Sequence, residues 1–220
     1  MPTVCNIFYD TLIADNRWRL IVQGLGATVV ITLLSLLFGT LLGVAVYGMS
    51  QSRKNWMRRT AAVWRFVVRG TPMLVLLLFF FYVVLSGGNG MLAAVAAFSI
   101  NFSNLACSLI QSSVESVGHG QVEAGRALGF NNWQTLRYIV LPQALRNALP
   151  AYKFQAVSMV KSTAVVGYVA IQDLTHAFET IRQSTNQSLL PLIIVTVIYF
   201  ILAWLLSKLL DYIAVKTSRI

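Results

Sequence analysis

The chain has 220 residues, 57% of them hydrophobic and only 11% charged, with a mean hydropathy of +0.69 and a formal charge of +10. That composition excludes a water-soluble globular domain and places the chain among polytopic membrane proteins. The basic residues punctuate apolar runs instead of forming one stripe, so they read as topogenic signals and no nucleic-acid partner is expected.

Residues 1–19 form a polar lead in which Asp10, Asp15, Arg17 and Arg19 balance. Ile7, Phe8, Leu12 and Ile13 would let it lie along a surface as a short helix. The apolar run after it is too long for a signal-peptide core, so no cleavable signal is expected. The first span is predicted within Leu20–Met49. Its Gly39 and Gly43 stand four apart, a spacing that permits close helix approach, read here as packing within the subunit. Arg53, Lys54, Arg58 and Arg59 then crowd one short loop, with Trp56 among them. By the positive-inside rule this loop is cytoplasmic, which puts the amino terminus outside.

A second span is predicted over Thr60–Leu85, opened by Arg69, Gly70, Thr71 and Pro72. Two roles are open to Arg69, gating or snorkelling to phosphates. Ser86–Gly90 is a turn by composition. The third span, Met91 to Ser113, is unusually polar, and Asn101, Asn104 and Ser108 would share a helical face. Lipid offers such groups no partner, so that face should look into the bundle or a wet cavity.

Gly120 to Pro142 is polar between apolar neighbours and must lie outside the hydrocarbon. Gln121–Leu128 reads as a short amphipathic helix with Ala124, Ala127 and Leu128 on one face. Gly129 is placed to stop it, and Asn131 or Asn132 to cap a second helix. Trp133, Leu136 and Val140 would line that second helix until Pro142 ends it. The expected product is a helix–turn–helix able to fill a partner's groove.

A fourth span is predicted over Ala151–Ile171, with Lys161, Ser162 and Thr163 near its centre. A buried lysine there faces either the pathway or a structural partner. Residues 172–187 are expected to be a second outer loop. Leu189–Leu210 is the last span, and Lys208, Lys216 and Arg219 close the chain on the cytoplasmic side.

Catalysis finds little support. No GxxxxGK[ST] phosphate loop and no HExxH occurs, and Cys5 and Cys107 have no metal spacing. His119 and His176 fall in loops on opposite sides, and no Ser/His/acid trio converges. Every carboxylate is expected in a loop or at a span end, which denies the chain an intramembrane proton relay.

Glu123-Ala124-Gly125, then Gly129, Ile139 and Leu141-Pro142, keep every spacing of the EAA loop of ABC importer permeases. Gly125 replaces the motif's last alanine, one small residue for another. Arg69-Gly70-Thr71-Pro72 resembles the RGTP stretch of amino-acid permeases in that superfamily, and Lys161-Ser162-Thr163-Ala164 with Asp173-Leu174 resembles a second one. The chain is thus similar to the polar amino-acid uptake branch over about residues 20–215. Two charged residues common in that branch, a glutamate and an arginine, would fall near Ser108 and Gln111 and are lost.

The resemblance implies an all-α membrane protein of five transmembrane helices with a cytoplasmic coupling helix–turn–helix at 120–150. A lead at 1–19 would precede the transporter domain (20–215), and a cytoplasmic tail (216–220) would follow it. It implies a second permease subunit, ABC ATPase subunits that use ATP and Mg, and an extracytoplasmic solute-binding protein. No cofactor is expected on this chain. The coupling residues would be Glu123, Ala124, Gly125, Gly129, Trp133, Leu136, Ile139, Leu141 and Pro142. The pathway would use Asn101, Asn104, Ser108, Lys161, Ser162 and Thr163, with Arg69, Thr71 and Pro72 at the gate. The competing expectations are a self-sufficient channel or carrier, a structural membrane scaffold, or an osmolyte or methionine importer.

Overall fold

The computed structural model describes residues 13–218 apart from 87 and 170, with side chains described to residue 214. The proposed surface helix of the lead (Ile7, Phe8, Leu12), Gly87 of the predicted turn, and the Lys216 and Arg219 side chains lie outside the described residues. Among the described residues the chain is helical and forms no strand. Three helices are long and apolar enough to cross a membrane, and two bent helix pairs bring the possible crossings to five.

Helix α1 (Trp18–Ser50) is 33 residues long, about 50 Å at 1.5 Å per residue, well beyond a hydrocarbon core of about 30 Å. Gly24, Thr28, Ile31, Ser35, Gly39, Gly43 and Val46 form its buried stripe. Ser35, Gly39 and Gly43 lie against α4 (Gly90–Glu115), whereas Gly24 and Thr28 face Asp173 and Leu174. A Cβ built on Gly43 would stand 2.5 Å from the Ala106 Cβ, and one on Gly39 would stand 2.8 Å from the Phe102 Cβ. The glycine pair therefore packs two helices of one subunit, as its spacing predicts. Leu33, Leu37, Phe38 and Leu41 on the opposite side are exposed, which suits a lipid-facing surface.

The second span is not one helix. Helix α2 (Asn55–Gly70) meets α3 (Met73–Phe79, extended by a π-helical turn Phe80–Val84) at 106°. The reason is local: a residue before proline is pushed out of the helical region, and Thr71 sits at φ −95, ψ 121. Its hydroxyl donates to the Val67 carbonyl at 2.8 Å as the chain turns. Met73–Val84 rises only about 18 Å, too short to cross alone. Helix α2 packs against α4, where its Trp64 Nε1 donates to Ser103 Oγ in the middle of that helix (3.1 Å).

After α4 come α5 (His119–Ala127) and α6 (Asn132–Thr135). A π-helical turn (Leu136–Val140) then carries the chain into α7 (Leu141–Ser162), which ends as a 3-10 segment, Thr163–Val169. The expected stop at Pro142 is corrected. Leu141 stays helical at φ −61, ψ −44, because the wider turn before it hands the Leu141 N–H to Leu136 and re-spaces the carbonyls facing the proline ring. Nor does a helix begin after Pro150, which sits inside α7 and removes one backbone bond, to Arg146.

The expected loop at 172–187 is largely helix α8 (Leu174–Thr185), which buries Leu174, Ala177 and Ile181. Helix α9 (Leu189–Ser218) closes the bundle against α7 and α8. Asp173 caps α8 from the bend before it, in the expected loop, and is fully buried there. Its Oδ1 accepts from the His176 N–H at 2.8 Å, its Oδ2 from the Tyr199 hydroxyl at 3.4 Å. Its carbonyl rests on Gly24, where a Cβ would come within 2.6 Å.

Candidate functional site

Residues 119–145 build a knob with an apolar outer face. The turn between α5 and α6 rests on Gly129, whose φ of +83 is open to glycine at little cost. The Phe130 N–H donates to the Gly125 carbonyl at 3.0 Å and the Gly129 N–H to Arg126 at 2.9 Å. These two bonds form a Schellman cap that closes the helix end. Asn131 is the cap of α6: its Oδ1 accepts from Gln134 N at 2.8 Å while Gln134 Oε1 accepts from Asn131 N at 2.9 Å. This reciprocal box selects Asn131 over Asn132, and its signal, Asn-x-x-Gln, stands in the sequence.

The inner face of α5 is Val122 and the buried Gly125, not the alanine face. A Cβ on Gly125 would stand 2.6 Å from the Ile139 Cδ1, so Ile139 occupies the space that an alanine methyl would need. Val140 packs with Val117 and Ala144 below. Of the nine expected coupling residues, Gly125 and Ile139 therefore hold the knob together from inside. Glu123, Ala124, Gly129, Trp133, Leu136, Leu141 and Pro142 are exposed. Leu128 at 75% and Trp133 at 69% stand furthest into solvent, joined by Tyr138 and Leu145, which the motif did not flag. An Asn147 Nδ2 bond to Ser116 Oγ (2.8 Å) ties the base of the knob to the end of α4.

The polar residues expected on the pathway do not all share one place. Asn101 of α4 and Ser162 of α7 line the same small cavity, of about 80 Å³, together with Gln155, Ser158 and Met73. Asn104 is buried one turn along. Ser108 accepts from Arg65 Nη2 at 3.5 Å and donates to the Asn104 carbonyl. Lys161 is exposed in the last turn of α7, where the chain passes into the 3-10 segment. Thr163 is turned inward, fully buried, with its hydroxyl donating to the Val160 carbonyl at 2.7 Å, and it lines none of this cavity. Of the proposed gate, Arg69 and Pro72 are exposed, and Thr71 and Pro72 form the 106° break itself.

Sequence reasoning missed three polar links. Arg65 donates to Gln111 Oε1 at 2.9 Å, and Gln111 in turn donates to Glu115 at 2.8 Å. Lys153 pairs with Asp211 at 2.6 Å, joining α7 to α9. On α8, Arg182 beside Glu179, helped by Gln183, holds the Glu179 carboxyl down at about 2. The last pair, at i and i+3 on one helix, is readable from spacing. The first two join separate helices and leave no local signal.

The helical bundle and its glycine-hinged knob define the class, a multi-pass membrane permease subunit. The chain belongs to the family of binding-protein-dependent transport system inner membrane components, which matches residues 35–219. It is similar to the L-cystine transport system permease protein TcyB of Bacillus subtilis (strain 168), 30% identical over 200 residues that cover 89% of this chain and 86% of that protein. It is also similar to the histidine/lysine/arginine/ornithine transport system permease protein HisM of Salmonella typhimurium, 29% identical over 222 residues, covering 95% and 94%. Among solved structures, an amino acid ABC transporter with histidines superposes with a TM-score of 0.85 at 30% identity over 98% of this chain and 99% of that one. The inward-facing MetNI methionine ABC transporter shares the fold, with a TM-score of 0.77 at 22% identity over 93% of this chain and 99% of that one.

Proposed function

We propose that this chain is the membrane half of an ATP-driven importer of a polar amino acid, coupled to separate ATPase subunits through the face around Trp133 and Leu136. The observation that carries this is the knob: large apolar side chains held in water by a turn that only a left-handed residue closes. A monomer gains nothing from exposing them, and a partner's groove covers them. Glu123, exposed on the same helix pair, would meet a basic residue or helix start in that groove. ATP and Mg belong to that partner.

The relatives' names support an amino acid as cargo. The family's dependence on binding proteins supports an extracytoplasmic solute-binding partner, and a second permease subunit would complete the membrane unit. The basic cluster at 53–59 and the knob would face the cytoplasm, with the amino terminus outside the cytoplasmic membrane. Closure of the ATPases would push the knob and rock the spans, each ligand shifting the balance only by its differential affinity for the two states. A self-sufficient carrier is disfavoured because Asp173 and Asp211 are both committed to protein partners.

The test is co-purification and ATP-driven uptake by the reconstituted complex, with Glu123→Trp plus Gly129→Val against wild type. Loss of the ATPase and of uptake is expected. A stoichiometric ATPase with coupled transport in the double variant would overturn the assignment of the knob.

A further inference from the structure

Helix α2 joins a run of basic residues to an apolar stripe, and neither is covered by the chain. We propose that α2 is a surface helix of the cytoplasmic leaflet that binds anionic phospholipid, a claim that rests on the cytoplasmic placement of residues 53–59. At 100° per residue Arg58, Arg65 and Arg69 stand at i, i+7 and i+11 and share one edge of the helix. Trp56, Val63 and Val67 repeat that spacing two residues earlier, about 200° away on the opposite edge. Ala61 and Val68, between the two edges, are buried against the bundle. The apolar edge meets no protein. Each of its three residues is more than half exposed, and Phe66 beside them is exposed at 81%. Tryptophan and aliphatic residues on one edge with arginines on the other are the pattern of a helix lying in the membrane interface.

The contacts of α2 put it at that level. Trp64 and Arg65 meet α4 at Ser103, Ser108 and Gln111, about 20–32 Å from the capped start of α4 at 1.5 Å per residue. The hydrocarbon core is about 30 Å thick, so α2 crosses α4 where hydrocarbon gives way to headgroups on the knob side. The 106° bend turns α2 across the direction of α3. Thr71 and Pro72 are extended and add about 7 Å to the rise of about 18 Å over Met73–Val84. Thr71–Val84 thus covers most of the depth, and α2 is left to run along the surface.

Charge selects the lipid. Arg53, Lys54, Arg58, Arg59 and Arg69 are exposed and form no ion pair among the described residues. From residue 16 to residue 114 the sequence contains neither aspartate nor glutamate to offset them. Arg65 has a different part: it donates to Gln111 and Ser108 and ties the helix to α4. Anionic phospholipid satisfies both edges of α2 at once, with acyl chains along Trp56, Val63 and Val67 and phosphates within reach of the cations. Charge-assisted bonds of that kind are the stronger ones. A zwitterionic lipid brings no net charge to the basic edge, and so phosphatidylglycerol is the lipid class that fits.

The test uses the chain with its co-purifying partners in nanodiscs of phosphatidylcholine and phosphatidylglycerol. Nitroxide labels at Trp56→Cys, Val63→Cys and Val67→Cys, each after Cys5→Ser and Cys107→Ser, report depth from collisions with oxygen and a nickel chelate. Equal depths are expected. A spanning helix would separate the first and last labels by about 16 Å, and labels shielded from both agents would mean that protein covers the stripe; either result overturns the proposal. Spin-labelled phosphatidylglycerol is expected to associate roughly fivefold more strongly than phosphatidylcholine, the scale of one basic residue at an anionic surface. Arg58→Gln with Arg59→Gln, or salt at about 1 M, should lower that preference, and Arg58→Lys with Arg59→Lys should keep it. No preference in the wild type, or one that survives both the glutamine pair and salt, would also overturn the proposal. A membrane-impermeant maleimide on Gln51→Cys separates the two claims. Reaction from the cytoplasmic side with unequal depths defeats only the placement of α2, whereas reaction from the outer side alone defeats the orientation on which the importer reading depends.

Discussion

Two pairs of glycines stand four residues apart in this chain, Gly39 with Gly43 in α1 and Gly125 with Gly129 in the knob, and the structure uses them differently. In α1 both face α4, and both are there for what they lack: a methyl on either would meet side-chain and backbone atoms of α4 closer than 3 Å. In the knob only Gly125 serves that purpose, against Ile139. Gly129 has nothing within 4 Å of a built Cβ and is present for its positive φ. One spacing thus supports two kinds of necessity, volume and backbone conformation. The surroundings decide which: a helix that continues for seven residues beyond Gly43, or one that ends at Ala127.

Substitutions can break this comparison. The largest effect is expected for Gly43→Leu, where a whole side chain must enter a contact already closed at 2.5 Å. Overpacking of this kind costs about 1–3 kcal/mol even for small insertions, so loss of monodisperse protein on size exclusion is the expected result. Gly26→Leu, whose Cβ meets nothing within 4 Å, should leave the profile unchanged. Next comes Gly129→Ala, which has room but carries the left-handed cost of roughly 1–2 kcal/mol. The bundle should fold normally while ATPase coupling falls, and Gly129→Asn should be milder.

Gly125→Ala is expected to cost about 1 kcal/mol, at the low end for overpacking because the obstacle is the tip of a side chain. Ile139→Val deletes that tip, so the double variant should recover the thermal midpoint; failure to recover would show that Gly125 matters for something besides volume. The smallest effect belongs to Glu179→Gln. Its partner Arg182 is on the same surface helix, so the midpoint at pH 7 should not move. Because the carboxyl is depressed to about 2, whatever the pair contributes is present above the ordinary carboxylate range and fades only as pH falls towards that value.

The helical membrane class, the ends of α4 within two residues and the place of the α5–α6 turn are legible in the sequence. Each follows from local rules: apolar length, a cap residue, a glycine that must turn left. Prolines mislead in both directions. Hydropathy puts Pro72 inside one span, yet it bends the chain by 106°, since nothing packs Thr71 back into a helix. Pro142 and Pro150 look like boundaries and sit within helix, Pro142 directly after a π-helical turn that re-spaces the carbonyls before it. The same rule gives opposite outcomes because the tertiary setting, not the residue, decides whether a freed carbonyl finds a partner.

The polar face is half legible. Asn101 and Ser162 line one cavity, but Thr163, next in the motif, is buried and bonded to the Val160 carbonyl instead. Adjacent residues on a helix are about 100° apart, and a three-letter resemblance cannot keep them all on one side.

The contact between the start of α1 and the start of α8 bears on how the chain is made. The Leu174 N–H donates to the Thr28 hydroxyl at 3.4 Å across 146 residues of sequence, and the nearest atoms over Gly24 belong to Asp173 and Leu174. At the usual pace of about 5–20 residues per second, the ribosome needs roughly 7–30 s to deliver that partner. For that interval Gly24 and Thr28 of the first helix are without this partner, and a chain arrested before residue 173 never completes the contact.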